Sequence, residues 1–542
     1  MTHAVDAAPP ADLGSSEPIV VGRGRVGRRI EALPLSLFAV GLIGLLGVVK
    51  LVRALGWPFT SGGDVAFIEL AVRQMVRGGT ALGPYSRFGW HHPGPLLFAV
   101  MAPAYWLSGE ASRSLFLSSW FLNWGCAVLI VLLVRRMAGE LAARVSVIAI
   151  VLIVHALHFD QLASPWNPSL LAMPALLMFV CVAASAAGSV PALVGTWLVA
   201  SYLVQTHIGT APLCAVAVAI AVVAFLGGRG WRPRFARRER VVVIAGAALL
   251  FLVWLPPLYQ QVTNHDGNLT QIARFYASPP RDAGATSHSL HDAAVQVSDV
   301  ATAVPLGRAR GVADLHTRYA WVALFVVLGI GGAIAGWRRN RFLAVLCLMT
   351  PVGLLVAELA TTRIIGPLLP YLLRWLETIG IPALVGAGAL AVLAAAGEGS
   401  GRRAVVAGWV SAAVLIGVTL AASHTVVLRG RSVSFGDSPS ARLAAHAIEQ
   451  AVGSRDTVFG VRDRASGLDA GAVALALAKD GYRFRLVPGI DLYSGSTSEP
   501  VDGPTFEVRS VSRNSPPPPA GTPVLRSPFI AVWQVDAASG SG

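Results

Sequence analysis

The sequence has 542 residues, of which 54% are hydrophobic and 13% charged, and its formal net charge is +14. Apolar runs of about 20 residues, the length that crosses a hydrocarbon core as a helix, recur between Leu33 and Ser423. They predict an all-α polytopic membrane protein. Because the arginines cluster in short segments between these runs, the charge follows the positive-inside rule and does not indicate a nucleic-acid-binding protein.

The first 29 residues are polar, rich in Pro, Ala and Gly, and end in a basic cluster from Arg23 to Arg29. This composition predicts a disordered tail over 1–32. Basic residues directly before the first apolar run favour a cytoplasmic N-terminus, and the run itself is typical of an uncleaved anchor.

Residues 33–424 form the predicted membrane module, with about eleven transmembrane helices. The dense basic clusters between spans, such as Arg135-Arg136 and Arg402-Arg403, then all lie on the cytoplasmic side. The long segments lie outside, where we expect binding groups to be carried. The predicted spans lie near 33–55, 112–134, 142–158, 168–187, 190–204, 211–227, 241–259, 319–336, 342–360, 371–396 and 404–424.

The first external loop (56–111) carries an acid, Asp64, at the predicted membrane edge. A carboxylate is costly there unless it is paired or faces a watery cavity, so Asp64 is a candidate functional residue. Apolar residues then recur at helical spacing from Ile68 to Val76 and predict an amphipathic helix at the interface. The stretch from Pro93 to Leu107 is too short for a span and predicts a second interfacial or re-entrant helix.

After residue 424 the composition changes to that of a soluble domain, so we expect a small extracytoplasmic α/β domain over 425–542. Its patterns predict helices near 440–452 and 468–479 and strands near 457–461, 483–487 and 529–535.

Two roles for Asp64 stay open. As a general base it would deprotonate an acceptor hydroxyl, and as a helix cap it would accept from the backbone after two glycines. His91 and His92 either bind phosphate and orient an acceptor or are polar residues at a wet interface. Adjacent histidines lack the spacing of a good metal site, so no metal cofactor is expected, although a divalent metal stays possible in principle.

One region resembles a known family. The order is a span, Gly63-Asp64, an amphipathic helix ending in Arg77-Gly78-Gly79, then Pro93-Gly94-Pro95-Leu96-Leu97-Phe98, and a span ending in Arg135-Arg136. It is similar to the N-terminal third of the C-type membrane glycosyltransferases (GT-C), in the branch of protein O-mannosyltransferases and bacterial aminoarabinose transferases. The resemblance implies a GT-C fold and makes Asp64 the catalytic acid. Several relatives have a second acid directly after the first, where this chain has Val65.

The resemblance also implies further binding residues on the same side. His207 stands where relatives often have a lysine, and Arg363 or Arg374 matches a late basic residue that neutralises the lipid phosphate. Asp160 and Asn167 flank a turn that would line the acceptor pocket. Satisfied buried polar groups account for Asp160, Asn167 and His207 nearly as well, and snorkelling interface anchors account for the arginines.

These observations predict a glycosyltransferase that moves a hexose or pentose, with inversion, from a polyprenyl-phosphate donor to an extracytoplasmic glycan, lipid or protein acceptor. The strong preference for arginine over lysine suggests a high-GC bacterial source, a plasma-membrane location and a cell-wall glycan as the product. The competing hypothesis is a proton-coupled transporter or a flippase for lipid-linked sugars, but no internal repeat of the spans supports it.

Overall fold

The protein is described here from a computed structural model, which covers residues 34–54, 59–230, 233–281, 284–307, 313–397, 401–428, 438–462, 468–486, 501, 503–510, 521–527 and 529–535. The predicted tail, 1–32, lies outside the described residues.

The membrane module is built from helices that follow the apolar runs of the sequence. Short 3₁₀ segments interrupt it, among them Asn167–Leu170, Ile208–Thr210 and Pro370–Leu376. The helices are α1 (Leu35–Ala54), α2 (Gly63–Arg77), α3 (Leu96–Leu107), α4 (Arg113–Ala163), α5 (Ala172–Ala186), α6 (Val190–Thr206), α7 (Ala211–Arg229), α8 (Arg237–Thr263), α9 (Asn268–Ala277), α10 (Leu290–Ala301), α11 (Ala303–Leu306), α12 (Leu315–Gly336), α13 (Arg341–Thr361), α14 (Ile381–Ala396) and α15 (Arg402–Leu428).

Nine helical segments of the described chain are long and apolar enough to cross a membrane. Within the described residues, helix covers most of each of the eleven predicted spans. Two of these spans fall within the 51 residues of α4, whose helical conformation breaks at Gly139 (φ 87°, ψ 177°). Glycine adopts this conformation because it has no Cβ. The 17 residues of α6 fall below the length of a clear span. The multi-pass membrane architecture is therefore confirmed, and the count of eleven stays a prediction.

The basic clusters meet at one end of the bundle, which we call the basic end. Arg135 and Arg144 both pair with the buried carboxylate of Glu140, at 3.0 and 3.4 Å. Arg144 also donates to the carbonyl of Gly408 in α15 at 2.8 Å, and Arg341 donates to a carbonyl of α7 at 3.1 Å. The clusters thus share one side of the protein, as the arginine pattern predicts.

In the part of the C-terminal domain that the structure describes, there are two helices and a mixed five-stranded sheet. Strand β1 is parallel to β2 and β3, and β5 is antiparallel to β3 and β4, in the order β2-β1-β3-β5-β4. The predicted helices and three strands are present, and β3 and β4 are additional. Its elements are α16 (Pro439–Val452), β1 (Phe459–Arg462), α17 (Leu468–Lys479), β2 (Phe484–Leu486), β3 (Thr505–Ser510), β4 (Thr522–Arg526) and β5 (Ile530–Val535).

The C-terminal domain packs directly on the membrane module. Helix α17 lies against α2, with Gly471 facing the Phe67 ring. The Lys479 ammonium pairs with the carboxylate of Glu69, which is fully buried, and the Arg73 guanidinium donates to the carbonyl of Ala478 at 2.7 Å. Glu69 and Arg73 on the polar side of the predicted amphipathic helix are therefore covered by protein, whereas Arg77 at its end stays exposed.

Candidate active site

A cavity of about 840 Å³ lies at the end of the bundle opposite the basic end. It is bounded by the N-terminus of α2, the segment 83–92, the starts of α7 and of the Asn167–Leu170 turn, helix α9, and the C-terminal end of α13. Five of the predicted site residues line it, namely Asp64, His92, Asn167, His207 and Arg363.

The segment 83–92 folds back on itself as a small hairpin. The backbone N–H of His92 donates to Pro84 at 2.7 Å, and that of Ser86 donates to Trp90 at 2.8 Å. The turn closes at Gly89, whose φ of 85° favours glycine. Because side chains of an extended segment alternate between faces, Trp90 and His92 line the cavity while His91 does not.

The Asp64 carboxylate is held by a tyrosine of this hairpin. It lies in the first turn of α2, whose N-cap is Gly62, so Asp64 is not the capping residue. Instead, Asp64 Oδ1 accepts a hydrogen bond from the Tyr85 hydroxyl. Burial, and next the charge of Asp64, raise the pKa of Tyr85, so Tyr85 remains a proton donor at physiological pH. The half-buried carboxylate is therefore oriented at the cavity wall.

His92 and His207 lie side by side, with ring centroids 4.7 Å apart and ring planes tilted by 38°. Burial lowers the pKa of both, that of His207 to about 4, so both are neutral at pH 7. Nδ1 of His92 accepts from the backbone N–H of Ile208 and Nδ1 of His207 from that of Gly209, each at 3.2 Å. In the neutral rings the proton is then on Nε2, which makes each ring a hydrogen-bond donor.

Two arginines line the cavity. Arg363 follows the end of α13, is exposed, and makes no side-chain hydrogen bond or ion pair with the described residues. Arg87 in the hairpin turn was not predicted as a site residue; its guanidinium lies 4.8 Å from the centre of the Phe88 ring. Both cations are available to an anionic ligand.

Three predicted residues do not line the cavity. The His91 ring contacts the carbonyl of Gly83 at 3.1 Å, and its backbone is held by the Asn268 side chain. Asp160 lies in the last turn of α4 and interacts with the Lys50 ammonium. The Arg374 guanidinium lies 4.8 Å from the centre of the Trp166 ring and donates to Ser169 at 2.8 Å, so it supports the cavity wall from behind.

One side of the cavity is apolar. Val216 of α7 and Val356 and Leu359 of α13 line it, and Leu359 is 56% exposed on the surface of the bundle. The cavity is therefore continuous with the surface that faces lipid. Asn167 lies deeper, where its amide donates to the carbonyl of Thr206 at 3.2 Å.

Within the described ranges, no group of three or more His, Cys, Asp or Glu side chains is arranged to hold a metal ion. The two cavity histidines use Nδ1 to accept backbone N–H groups, which leaves only Nε2 of each for any other partner.

No protein-family model and no curated protein sequence matches the chain. Its fold is similar to that of the crystal structure of ArnT from Cupriavidus metallidurans bound to undecaprenyl phosphate, with 16% identity and a TM-score of 0.52 over 92% of this chain and 98% of that chain. The same protein in the apo state aligns with 14% identity and a TM-score of 0.41, over 91% and 97% of the two chains. The likeness to the first structure shows a GT-C fold, as the N-terminal resemblance predicts.

Proposed function

We propose that the protein is a membrane glycosyltransferase that takes a sugar from a polyprenyl-phosphate donor. One observation carries this proposal: a single cavity combines the carboxylate of Asp64, the guanidinium of Arg363 and two neutral imidazoles, and it adjoins an apolar wall at the lipid-facing surface. A lipid-linked sugar phosphate presents matching groups, with a polar head at the membrane edge and an apolar tail in the bilayer.

In the proposed reaction Asp64 accepts the proton of the acceptor hydroxyl as general base. The acceptor oxygen forms the new bond to the anomeric carbon while the bond from that carbon to the phosphate oxygen breaks, so the configuration inverts. Polyprenyl phosphate leaves with the bonding electron pair. Arg363 and Arg87 stabilise the charge that develops on it, and the Nε2–H groups of His92 and His207 supply uncharged donors.

The fold supports the donor class, because the ArnT structure with this fold was crystallised with undecaprenyl phosphate. Asn167 would hydrogen-bond the acceptor, which we propose is a glycan, lipid or protein at a bacterial plasma membrane. In this proposal the basic end and the N-terminus face the cytoplasm, the cavity and the C-terminal domain face outward, and no metal cofactor takes part.

A proton-coupled transporter or flippase is the alternative, since an acid at a cavity also suits a proton relay. It would need to carry its ligand from one end of the bundle to the other. The cavity lies at the end away from the basic clusters, which favours transfer chemistry at one face.

The two classes differ in their product. Purified protein in nanodiscs is incubated with a polyprenyl phosphate that carries a radiolabelled sugar and with an extract of cell-envelope acceptors, with and without a chelator. Transferase activity gives a new glycosidic product and free polyprenyl phosphate in equal amounts, unaffected by the chelator. Movement of intact donor across vesicle membranes without a glycosidic product would favour the flippase.

A further inference from the structure

The cavity carries an aromatic wall, made of Phe88 and Trp90 from the hairpin and Phe275 and Tyr276 from α9. The ring centroids of Phe88 and Phe275 are 4.6 Å apart, and those of Trp90 and Phe275 are 5.6 Å apart. A wall of this kind stacks against the apolar C–H face of a sugar ring. It also attracts cations, so the charges around it decide which sugars it accepts.

The cation position on this wall is already occupied by the protein. The Arg87 guanidinium lies over the Phe88 ring and is held there without an ion pair to any described carboxylate. A protonated amino group on the sugar would meet this like charge on the wall. Only one carboxylate lines the cavity among the described residues, Asp64, and it is bound by Tyr85. An ammonium that paired with Asp64 would remove the base from the acceptor.

The net charge of the cavity also disfavours a charged group on the sugar. Asp64, Arg87 and Arg363 together carry one positive charge, because the two histidines are neutral. A donor in which phosphate joins lipid and sugar carries one negative charge on its phosphate. An uncharged sugar therefore completes the balance, whereas an amino sugar or a uronic acid leaves an uncompensated charge next to an apolar wall.

We propose that the cavity selects donors whose sugar is uncharged, stacks that sugar on the aromatic wall, and rejects amino sugars through Arg87. The inference rests on the proposed function and deepens it. It separates this chain from the bacterial aminoarabinose transferases that its N-terminal region resembles.

The test compares three donors that share one polyprenyl chain and differ only in the sugar: a neutral pentose, its 4-amino-4-deoxy form and a uronic acid. Affinities are measured on the full-length protein with non-transferable phosphonate analogues, and kcat/KM with the natural donors. We expect the neutral analogue to bind about 10-fold or more tightly than either charged one. Equal or tighter binding of the amino analogue, together with its transfer, would overturn the inference and leave the proposed function intact. No binding of any analogue would overturn both.

Arg87→Gln tests the residue assigned to the rejection. Arg87 is exposed and donates no hydrogen bond to described residues, so the variant is expected to fold. The ratio of kcat/KM for the neutral donor to kcat/KM for the amino donor should fall by about 5-fold or more. Arg274→Gln is the matched control, because Arg274 pairs with Asp266 at 3.0 Å and does not line the cavity. An unchanged preference in Arg87→Gln would overturn the role of Arg87.

Discussion

Helix α2 contacts two regions that differ in whether their charged side chains are paired within the protein. On the side of the C-terminal domain, the buried carboxylate of Glu69 accepts from Ser61, Tyr105 and Ser112 and pairs with Lys479. At the cavity, Arg363 makes no side-chain hydrogen bond or ion pair with the described residues. We call the surface between α2 and the C-terminal domain the docking face. Glu69 and Lys479 of this face pair with each other, whereas the cavity has charges that only a ligand can pair with. Loss of the Glu69 carboxylate in the first region should therefore mainly change stability, and loss of the charges of Asp64 or Arg363 in the second should mainly change activity.

The two regions also touch. The Phe67 ring lies between Gly471 of the C-terminal domain and the Tyr85 ring, whose centroid is 5.3 Å from its own. Tyr85 in turn holds Asp64. A change on the docking face can therefore reach the carboxylate through two aromatic rings.

The largest effect on activity is expected from Asp64→Asn. The amide keeps the shape of the side chain but removes the base, so transfer should fall by about 10² to 10⁴ with little change in unfolding temperature. Initial rates with a labelled donor measure it. Asp266→Asn is the control, since it changes an exposed acid paired with Arg274, and it should transfer at the wild-type rate.

The largest effect on stability is expected from Glu69→Ala. It leaves the Lys479 ammonium, which is 30% exposed, without its carboxylate and removes the acceptor of three hydroxyl groups. Each buried polar group left without a partner costs about 1 to 3 kcal/mol. Thermal unfolding in detergent measures the loss. Arg77→Gln removes an exposed arginine that pairs with Glu110 at 2.7 Å, and should cost at most about 1 kcal/mol. Equal losses of stability in Glu69→Ala and Arg77→Gln would contradict the difference expected between a buried and an exposed ion pair.

A pH dependence of stability is expected from His207. Burial lowers its pKa from 6.5 to about 4, so between these values the unfolded chain binds a proton that the folded protein does not. Stability therefore falls as the pH decreases from about 6.5 to about 4, in total by about 3 kcal/mol. His207→Asn keeps an acceptor near Nδ1 and does not titrate, so its unfolding temperature should depend less on pH. An identical pH profile for the variant would be inconsistent with a buried neutral ring.

A smaller effect distinguishes the two candidate arginines. Arg363→Gln should raise KM for the donor by about 10- to 100-fold, because a charged hydrogen bond to phosphate is lost, and should leave stability unchanged. Arg374→Gln should leave that KM unchanged and lower stability, because Arg374 packs on Trp166 and Ser169. Steady-state kinetics with varied donor and thermal unfolding separate the two, and the reverse pattern would exchange their roles.

The smallest effect is expected from Gly471→Val, which tests the contact between the regions. A Cβ there would lie 2.6 Å from the Phe67 ring, so the ring must move, and Tyr85 with it. We expect kcat to fall by about 10-fold with KM for the donor unchanged. Gly331→Val is the matched control, because nothing lies within 4 Å of a Cβ at that position. A wild-type kcat in Gly471→Val would show that the two regions act independently.

The sequence predicted the residues that stand at the ends of apolar runs. Asp64, His207 and Arg363 each precede or follow such a run. Because a helix bundle brings the ends of its helices together, all three line the same cavity. The sequence could not predict rotation about a helix axis, which depends on packing. Asp160 ends a run as well, but it faces Lys50.

The sequence carries a clearer signal for the hairpin (83–92) than for its contact with α2. Ser86 and Gly89 are typical first and last residues of a tight turn, and alternation in an extended segment allows only one of His91 and His92 to face the cavity. The partnership of Tyr85 with Asp64 had no such signal, because it joins two elements 21 residues apart. Strand β3 was missed because its alternating pattern covers only six residues and holds just two apolar side chains, Phe506 and Val508. Its Glu507 is buried and pairs with Arg462 at 2.9 Å.

The position of the donor relative to Asp64 and Arg363 is tested by an experimental structure of the full-length protein with a non-transferable polyprenyl-phosphate sugar. We expect the phosphate to contact Arg363 and the lipid tail to leave along α7 and α13. The anomeric carbon should lie beside the carboxylate of Asp64 with room for an acceptor hydroxyl between them. A donor bound elsewhere, or bound with its sugar remote from Asp64, would contradict this expectation.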